Sequence, residues 1–159
     1  MKEKKLTLHI RQYTFDELDE TAKMLVERAR EAAGDAYAPY SDFRVGTALL
    51  LENGTVITGN NQENAAYPSG LCAERVAVFY AGARYPDVAI VALALTARRP
   101  EGFTVEPAYP CGACRQVLLE AENRSGKPIR LIMAGRNHAD VVDSVKELLP
   151  VSFDKRFLE

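Results

Sequence analysis

All three cysteines of this 159-residue chain fall in two short motifs. Cys72-Ala73-Glu74 comes first, and Pro110-Cys111-Gly112-Ala113-Cys114 follows well downstream. Three thiolates can hold one zinc and leave its fourth tetrahedral position open, the arrangement of a catalytic rather than a structural zinc. Zinc lowers the pKa of a water bound at such a position. Glu74 lies two residues beyond the first ligand. It is near enough to move protons there and is not needed as a ligand.

The donor set poses an electrostatic problem. Zinc with three thiolates carries a net charge of minus one, which opposes ionisation of a bound water. Two features relieve it. Cys72 opens the run Ala73-Glu74-Arg75-Val76-Ala77-Val78-Phe79-Tyr80, and Cys111 and Cys114 open another; both read as helix starts. Helix N-termini carry partial positive charge and free N–H donors. Arg75, beside Glu74, adds a full positive charge within reach of the thiolates and would tune the metal from outside the ligand set.

Other uses of these thiols fit less well. Cys111 and Cys114 alone have the spacing of a redox pair. A disulfide does not suit a chain without a secretion signal. A structural zinc needs a fourth ligand, and neither histidine has ligand-like spacing: His9 lies in an alternating segment expected to be half exposed, His138 in a polar turn expected to be solvated. A zinc-stabilised binding module without catalysis would have no use for Glu74.

The rest of the chain sets the frame. Its length suits one domain with a sizeable core. Hydrophobic residues make up 47%, which excludes a disordered chain. Lys and Arg number 20 against 22 Asp and Glu, for a net charge of -2. A polynucleotide binder usually shows a basic face, so a small substrate is expected and no polynucleotide partner. No run is apolar for long enough to span a membrane. The start, Met1-Lys2-Glu3-Lys4-Lys5, leads into no apolar signal core. With free thiols, this points to a cytoplasmic location.

The elements that must position the motifs read as follows. Leu6, Leu8 and Ile10 alternate with polar residues, as in a short strand or extended arm. Glu17 to Ala33 has apolar residues at helical spacing, and Gly34 is a stop. Phe43 to Leu51 and Thr55 to Gly59 are strands joined at Asn53-Gly54, a strong hairpin signal. Asn60 to Asn64 is a polar cluster leading toward Cys72; its amides and carboxylate offer donors and acceptors suited to sugar hydroxyls. Val88 to Thr96 suits a strand buried on both faces. Arg98 to Tyr109 is a loop, and the Cys111 helix ends around Asn123 to Gly126. Ile129 to Ala134 is another buried strand, Val141 and Val142 belong to a final short one, and Val145 to Leu149 is a short helix or turn. Two motif-bearing helices that each precede a buried strand imply a mixed sheet with helices on both faces, a three-layer α/β/α domain.

The layout of a Cys₃ or His/Cys/Cys zinc site with a nearby glutamate is that of zinc-dependent base deaminases. The chain resembles the cytidine deaminases of the short, three-cysteine, homotetrameric type. The stretches that carry the resemblance are Ala36 to Gly46 (AYAPYSDFRVG), Asn61 to Tyr67 (NQENAAY), Cys72-Ala73-Glu74-Arg75, Pro110 to Gln116 (PCGACRQ) and Leu148-Leu149-Pro150. They spread over about Glu17 to Phe157. The resemblance implies an α/β/α sandwich with a mixed five-stranded sheet, one Zn2+ per protomer, and hydrolytic deamination of cytidine and deoxycytidine in pyrimidine salvage. It implies Cys72, Cys111 and Cys114 as metal ligands and Glu74 as the proton shuttle. It further implies ribose contacts from Asn61 and Glu63, and a pyrimidine-pocket aromatic at Phe43. The Ala73 N–H would hold the ring carbonyl. Ala65 and Tyr67 would touch ligand across a subunit interface, and Phe153 would reach into a neighbour's site within a homotetramer. The expected division is an N-terminal arm, residues 1–16, and a deaminase domain, 17–159.

The chain departs from the family pattern in three places. Tyr109 stands where serine usually precedes Pro-Cys-Gly; a contact through its backbone carbonyl to the leaving amine would survive, with different packing. Pro68-Ser69-Gly70 carries no assigned role. The arm, Met1 to Tyr13, extends beyond the family core and is expected to add an edge strand or clasp a neighbour. A blasticidin-type deaminase is the nearest alternative, disfavoured by Asn64 after Glu63. A tRNA adenosine deaminase uses histidine as first ligand and a basic surface, and this chain has neither.

Overall fold

Leucine-rich runs, broken by turns that suit glycine, set the strand pattern. The computed structural model describes residues 1–158. In chain order the elements are β1 (Arg11–Thr14), α1 (Glu20–Gly34), β2 (Arg44–Leu51), β3 (Val56–Asn60), α2 (Ala73–Arg84), β4 (Ile90–Arg99), β5 (Gly102–Phe103), α3 (Gly112–Ser125), β6 (Arg130–Ala134) and β7 (His138–Val142). The sheet runs β1-β7-β6-β4-β2-β3, with β5 paired to the end of β4. Among the strands of the described residues, only β4 and β6 pair in parallel; the other strand pairs are antiparallel. The mixed sheet is therefore as expected, with seven strands rather than five.

The two additional strands have different origins. β4 runs three residues past Thr96, and Gly102, with φ +128°, turns the chain back against it. β1 is the arm, and it does add an edge strand, against β7. It begins at Arg11 rather than at Leu6. Pairing with β7 starts where Arg11 meets Val141, and residues 6–10 have no strand partner. The alternation of Leu6, Leu8 and Ile10 is thus not a strand signal here.

Side-chain alternation builds two apolar layers. Leu49, Leu51, Leu93, Leu95, Leu131 and Met133 face one way and pack with Ala77, Val78 and Ala81 of α2 and Leu118 and Leu119 of α3. Ala48, Ala92, Ala94, Ile132 and Ala134 face the other way, against Ala22, Leu25, Val26 and Ala29 of α1. The large residues fill the side with two helices; small ones let α1 lie close. Gly46 sets that distance, since a Cβ there would meet the Ala29 carbonyl oxygen at 2.0 Å. Gly59 does the same for α2, because its Cβ would lie 2.7 Å from the Ala73 carbonyl oxygen. A glycine on β3 thereby fixes the first turn of the helix that follows Cys72.

Helix boundaries follow their caps. Asp19 accepts from the Ala22 N–H at 2.8 Å and starts α1 at Glu20. The expected start at Glu17 is pre-empted by a tight turn in which the Glu17 carboxylate takes the Thr14 N–H. α3 ends at Gly126, with φ +69°, a conformation glycine adopts cheaply. Just before that end, the buried Glu122 accepts from the Ile129 and Val145 N–H groups at 3.0 Å each and from the Ser144 hydroxyl at 2.6 Å. This ties α3 to β6 and to the segment after β7. His138 corrects its expected place: it opens β7 and is partly buried, with Nε2 3.6 Å from Glu106. His9 is exposed.

Candidate active site

Cys72 is the residue on which α2 begins, and Cys111 is the residue on which α3 begins. Both have extended backbone, and neither helix start is capped by a side-chain oxygen. Cys114 sits one turn into α3 and is fully buried. The two helices pack side by side on the same face of the sheet, so residues 39 apart in sequence come together. The three sulfurs lie within 4.8 Å of one another, and Cys72 and Cys111 are 3.8 Å apart. A tetrahedral zinc with Zn–S bonds of about 2.3 Å places its sulfurs roughly 3.8 Å apart. The observed spacing fits that ion. Among the described residues no fourth histidine, cysteine or carboxylate joins the group, so one position is left for a reactant.

The electrostatics favour a thiolate at Cys72. Arg75 Nη2 lies 3.6 Å from the Cys72 sulfur. Hydrogen bonds from Cys114 above all, then from Arg75 and Cys111, bring the Cys72 thiol down to about 5 against the effect of burial. Cys114, beside the Cys72 sulfur and buried, is pushed up. Arg75 in turn is raised by its bond to Cys72. Glu74 is buried, and burial, followed by the charge on Cys72, holds its carboxyl above its ordinary value.

The group opens onto a cleft of about 580 Å³, within the usual size range for small-molecule sites. Cys72, Ala73, Glu74, Arg75 and Cys111 form its floor; Phe43, Val45, Leu71, Leu95 and Ala108 give apolar walls; Asn61, Gln62, Glu63 and Asn64 give a polar rim, with Tyr40, Tyr67 and Tyr109 at its edges. Ala73 is fully buried at the first position of α2, where an N–H has no helical partner. Two loops shape the rim. Backbone bonds stitch Gln62 to Leu71 in both directions at 2.9 Å, and the Glu63 N–H to the Tyr37 carbonyl at 2.8 Å.

The expected site residues divide into three groups. Cys72, Cys111, Cys114, Glu74, Arg75 and Ala73 come together as read from the sequence. Phe43, Asn61, Glu63 and Tyr67 line the same cleft. Asn61 also clasps the start of β2, accepting from the Val45 N–H at 2.7 Å and donating to the Phe43 carbonyl at 2.9 Å. Glu63 accepts from the Ser41 hydroxyl and from the Tyr40 N–H at 2.9 Å, and these bonds hold its carboxyl below its ordinary value. Ala65 and Phe153 do not line the cleft of their own chain. Ala65 is exposed, and Phe153 stacks on Phe157 with ring centroids 5.4 Å apart. Sequence reasoning missed Ser41, which orients Glu63, and Arg115, whose Nε holds the Pro110 carbonyl at 2.8 Å while Nη1 holds the Leu148 carbonyl at 3.1 Å. Arg115 directly follows Cys114, and that adjacency was the available signal. Asp140, which accepts from the Tyr109 hydroxyl, gave none.

Three thiols with one open position and a buried glutamate, at the floor of a cleft on an α/β/α sandwich, define a zinc-dependent hydrolase. Residues 19–126 match the family model described as the cytidine and deoxycytidylate deaminase zinc-binding region, and the chain belongs to that family. It is 42% identical over 134 residues to a cytidine deaminase of Halalkalibacterium halodurans, covering 82% of this chain and 92% of that one. It is 42% identical over 139 residues to a cytidine deaminase of Sporosarcina psychrophila, covering 84% and 92%. Among solved structures it resembles a cytidine deaminase from Burkholderia pseudomallei, with a TM-score of 0.69 at 36% identity over 86% of this chain and all of that one.

Proposed function

We propose that the chain hydrolyses cytidine and deoxycytidine to uridine and deoxyuridine, releasing ammonia, in pyrimidine salvage. The observation that carries this is the meeting of Cys72, Cys111 and Cys114 within 4.8 Å, with Cys72, Cys111 and Glu74 lining a nucleoside-sized cleft. Cys72, Cys111 and Cys114 would hold the zinc, which would supply an activated water at the open position. Glu74 would take a proton from the attacking water and deliver it to ring nitrogen N3 as the oxygen adds to C4. It would then carry the second proton from the new C4 hydroxyl to the amine, and the C4–N bond would break with loss of ammonia. A buried carboxyl with a raised pKa suits a group that must hold a proton between transfers.

The substrate contacts follow from the cleft. The apolar wall at Phe43 takes the base, and the Ala73 N–H meets the ring carbonyl O2. Glu63 accepts a third internal bond from the Ser41 N–H at 3.3 Å, for three in all, and a carboxylate offers about four positions, which leaves one for a ribose hydroxyl. Asn61 retains a free N–H for the same sugar. Ala65, Tyr67 and Phe153 act across a subunit boundary in a homotetramer, each protomer holding one zinc. The exposed rings of Phe79 and Tyr80 on α2 supply apolar surface for such contacts. We assign residues 1–16 to the arm and 17–159 to the deaminase domain. Among the described residues no helix is long and apolar enough to cross a membrane, and a cytoplasmic location accords with the free thiols.

The test is loss of absorbance in the cytosine band when purified protein meets cytidine, deoxycytidine, cytosine or blasticidin S, with elemental analysis of the same sample. Turnover of both nucleosides with one zinc per chain is expected. Turnover of blasticidin S alone, or full activity without zinc, overturns the reading.

A further inference from the structure

The arm's strand lies at the sheet edge beside β7 and far in sequence from the cysteines, yet a polar chain joins it to the substrate cleft. Gln12 of β1 stands opposite Asp140 of β7, and its Nε2 donates to Asp140 Oδ1 at 3.1 Å. The other carboxylate oxygen, Oδ2, accepts from the Tyr109 hydroxyl. Asp140 is 8% exposed, and each of its two oxygens takes one of these partners. Tyr109 lines the cleft beside Ala108 and Cys111. Its other side is also fixed, because Arg115 holds the carbonyl of the next residue, Pro110.

We propose that Tyr109 is the cleft wall that contacts substrate on the Cys111 side, and that Asp140 and the arm residue Gln12 are the positioning residues that hold it there. The inference rests on the deaminase reading above. A tyrosine ring hinged at its Cα has a free rotor. Anchoring its hydroxyl removes that freedom before substrate arrives, which lowers the ordering cost of binding. Asp140 is a good anchor because it is buried and itself held from the sheet edge. The Tyr109 hydroxyl donates to Asp140 Oδ2, which fixes the ring at its far end. The β1 strand is docked independently of Gln12 by its four-residue pairing with β7 and by the Arg11–Asp143 ion pair. Gln12 can therefore be altered without releasing the arm. The arm's role is then to complete the substrate site from behind.

The test uses the full-length zinc-loaded protein. Tyr109→Phe keeps the ring and removes the hydroxyl. Asp140→Leu removes the acceptor. Asp140→Asn keeps one acceptor for Tyr109 and can donate to a flipped Gln12 amide. Gln12→Leu removes only the link from the arm. Tyr109→Phe and Asp140→Leu are expected to raise KM for cytidine roughly 3- to 10-fold with kcat and zinc content retained, as for loss of binding shared by ground and transition states. Their double variant should be no worse than either alone. Asp140→Asn should stay within about two-fold of wild type, and Gln12→Leu should fall between. A separate readout does not depend on turnover: Gln12→Leu should speed exchange of the Tyr109 hydroxyl proton, which the bond to Asp140 protects. If KM in Tyr109→Phe stays within about two-fold of wild type, or if exchange of that hydroxyl proton is unchanged in Gln12→Leu, the inference is overturned. Loss of zinc or melting in place of the KM change would make the network merely structural and also overturn it. A wild-type protein that does not deaminate cytidine defeats the deaminase reading instead, and the exchange measurement still decides whether the arm positions Tyr109.

Discussion

The Arg75 guanidinium lies 3.6 Å from the Cys72 sulfur through Nη2. The two residues are three apart on the first turn of α2, the spacing at which helical side chains meet. The arginine therefore faces the sulfur cluster by construction and offsets part of its negative charge. Arg75→Gln removes the charge and keeps a side chain of similar reach. Outer partners of metal ligands typically carry about 10- to 100-fold in metal affinity or activity. The expected outcome is a protein that folds and binds zinc, but yields it faster to a competing chelator and turns over about 10-fold more slowly. Unchanged zinc retention together with unchanged kcat would show that Arg75 serves packing alone.

Glu74→Gln should keep the fold and the zinc and lose nearly all turnover. The amide is close in shape but cannot accept and return protons. Loss of a general acid–base group typically costs about 10²–10⁴-fold, and here one carboxylate performs each transfer, so the upper end is expected. Removing a buried carboxyl whose burial raises its pKa should leave thermal stability equal or slightly higher. Variant protein with full zinc and more than about a tenth of wild-type activity would exclude Glu74 as the shuttle.

The metal site was legible from sequence because its chemistry is rare and its positioning local. Cys72, Glu74 and Arg75 share one helix turn, and Cys111 and Cys114 another, so helix formation alone arranges each half. The sheet then needed only to lay α2 beside α3, and the alternation in β2, β4 and β6 that does so is plain in the order of leucines and alanines. The edges were less legible. β1 is held by backbone pairing to β7, and Arg11-Gln12-Tyr13-Thr14 has no apolar period to announce it. The Leu6 to Ile10 alternation, by contrast, has the period and lacks a partner. The bond between Tyr109 and Asp140 joins residues 31 apart on a loop and a strand, and nothing in either segment alone specifies it. Asn61 illustrates a third case: its place in the motif pointed to sugar, and the structure adds that its amide also closes the start of β2.

Asp19 gives a pH-dependent contribution to stability. Its carboxylate accepts from Arg130 and from the Ala22 N–H at the start of α1, and these bonds, the one from Arg130 first, lower its pKa from the ordinary value. A carboxyl depressed in the folded state stabilises fully above its unfolded pKa of about 3.9, and the contribution is lost as pH falls through the folded value. Asp19→Ala should cost about 1 kcal/mol at neutral pH, the usual worth of a helix cap. The gap between wild type and variant should stay constant from about pH 7 to pH 5 and close below about pH 4. Urea titrations across that range measure it. A gap that persists undiminished at low pH would mean that packing, and not the charged cap, is what the substitution removes.

Phe153 tests whether the site is shared between chains. It is 58% exposed, it stacks on Phe157, and it does not line its own chain's cleft. Its position is nonetheless defined, since Gln116 of α3 donates to its backbone carbonyl at 2.9 Å. A ring presented outward on a fixed backbone suits insertion into a neighbour's cleft. If it stacks there on the base, Phe153→Ala should weaken cytidine binding by roughly 1–3 kcal/mol, the range for a lost base–aromatic stack, with zinc content unchanged. Mixing decides whether the contact crosses chains. Phe153→Ala protomers keep Glu74, and Glu74→Gln protomers keep Phe153. After dissociation and reassembly together, some sites should pair an intact Glu74 with a neighbour's intact Phe153. Those sites should turn over cytidine at concentrations where neither parent does. Analytical ultracentrifugation of the same samples establishes that hybrids formed. Hybrids without recovered turnover would show that Phe153 acts within its own chain, and the shared-site arrangement would fail.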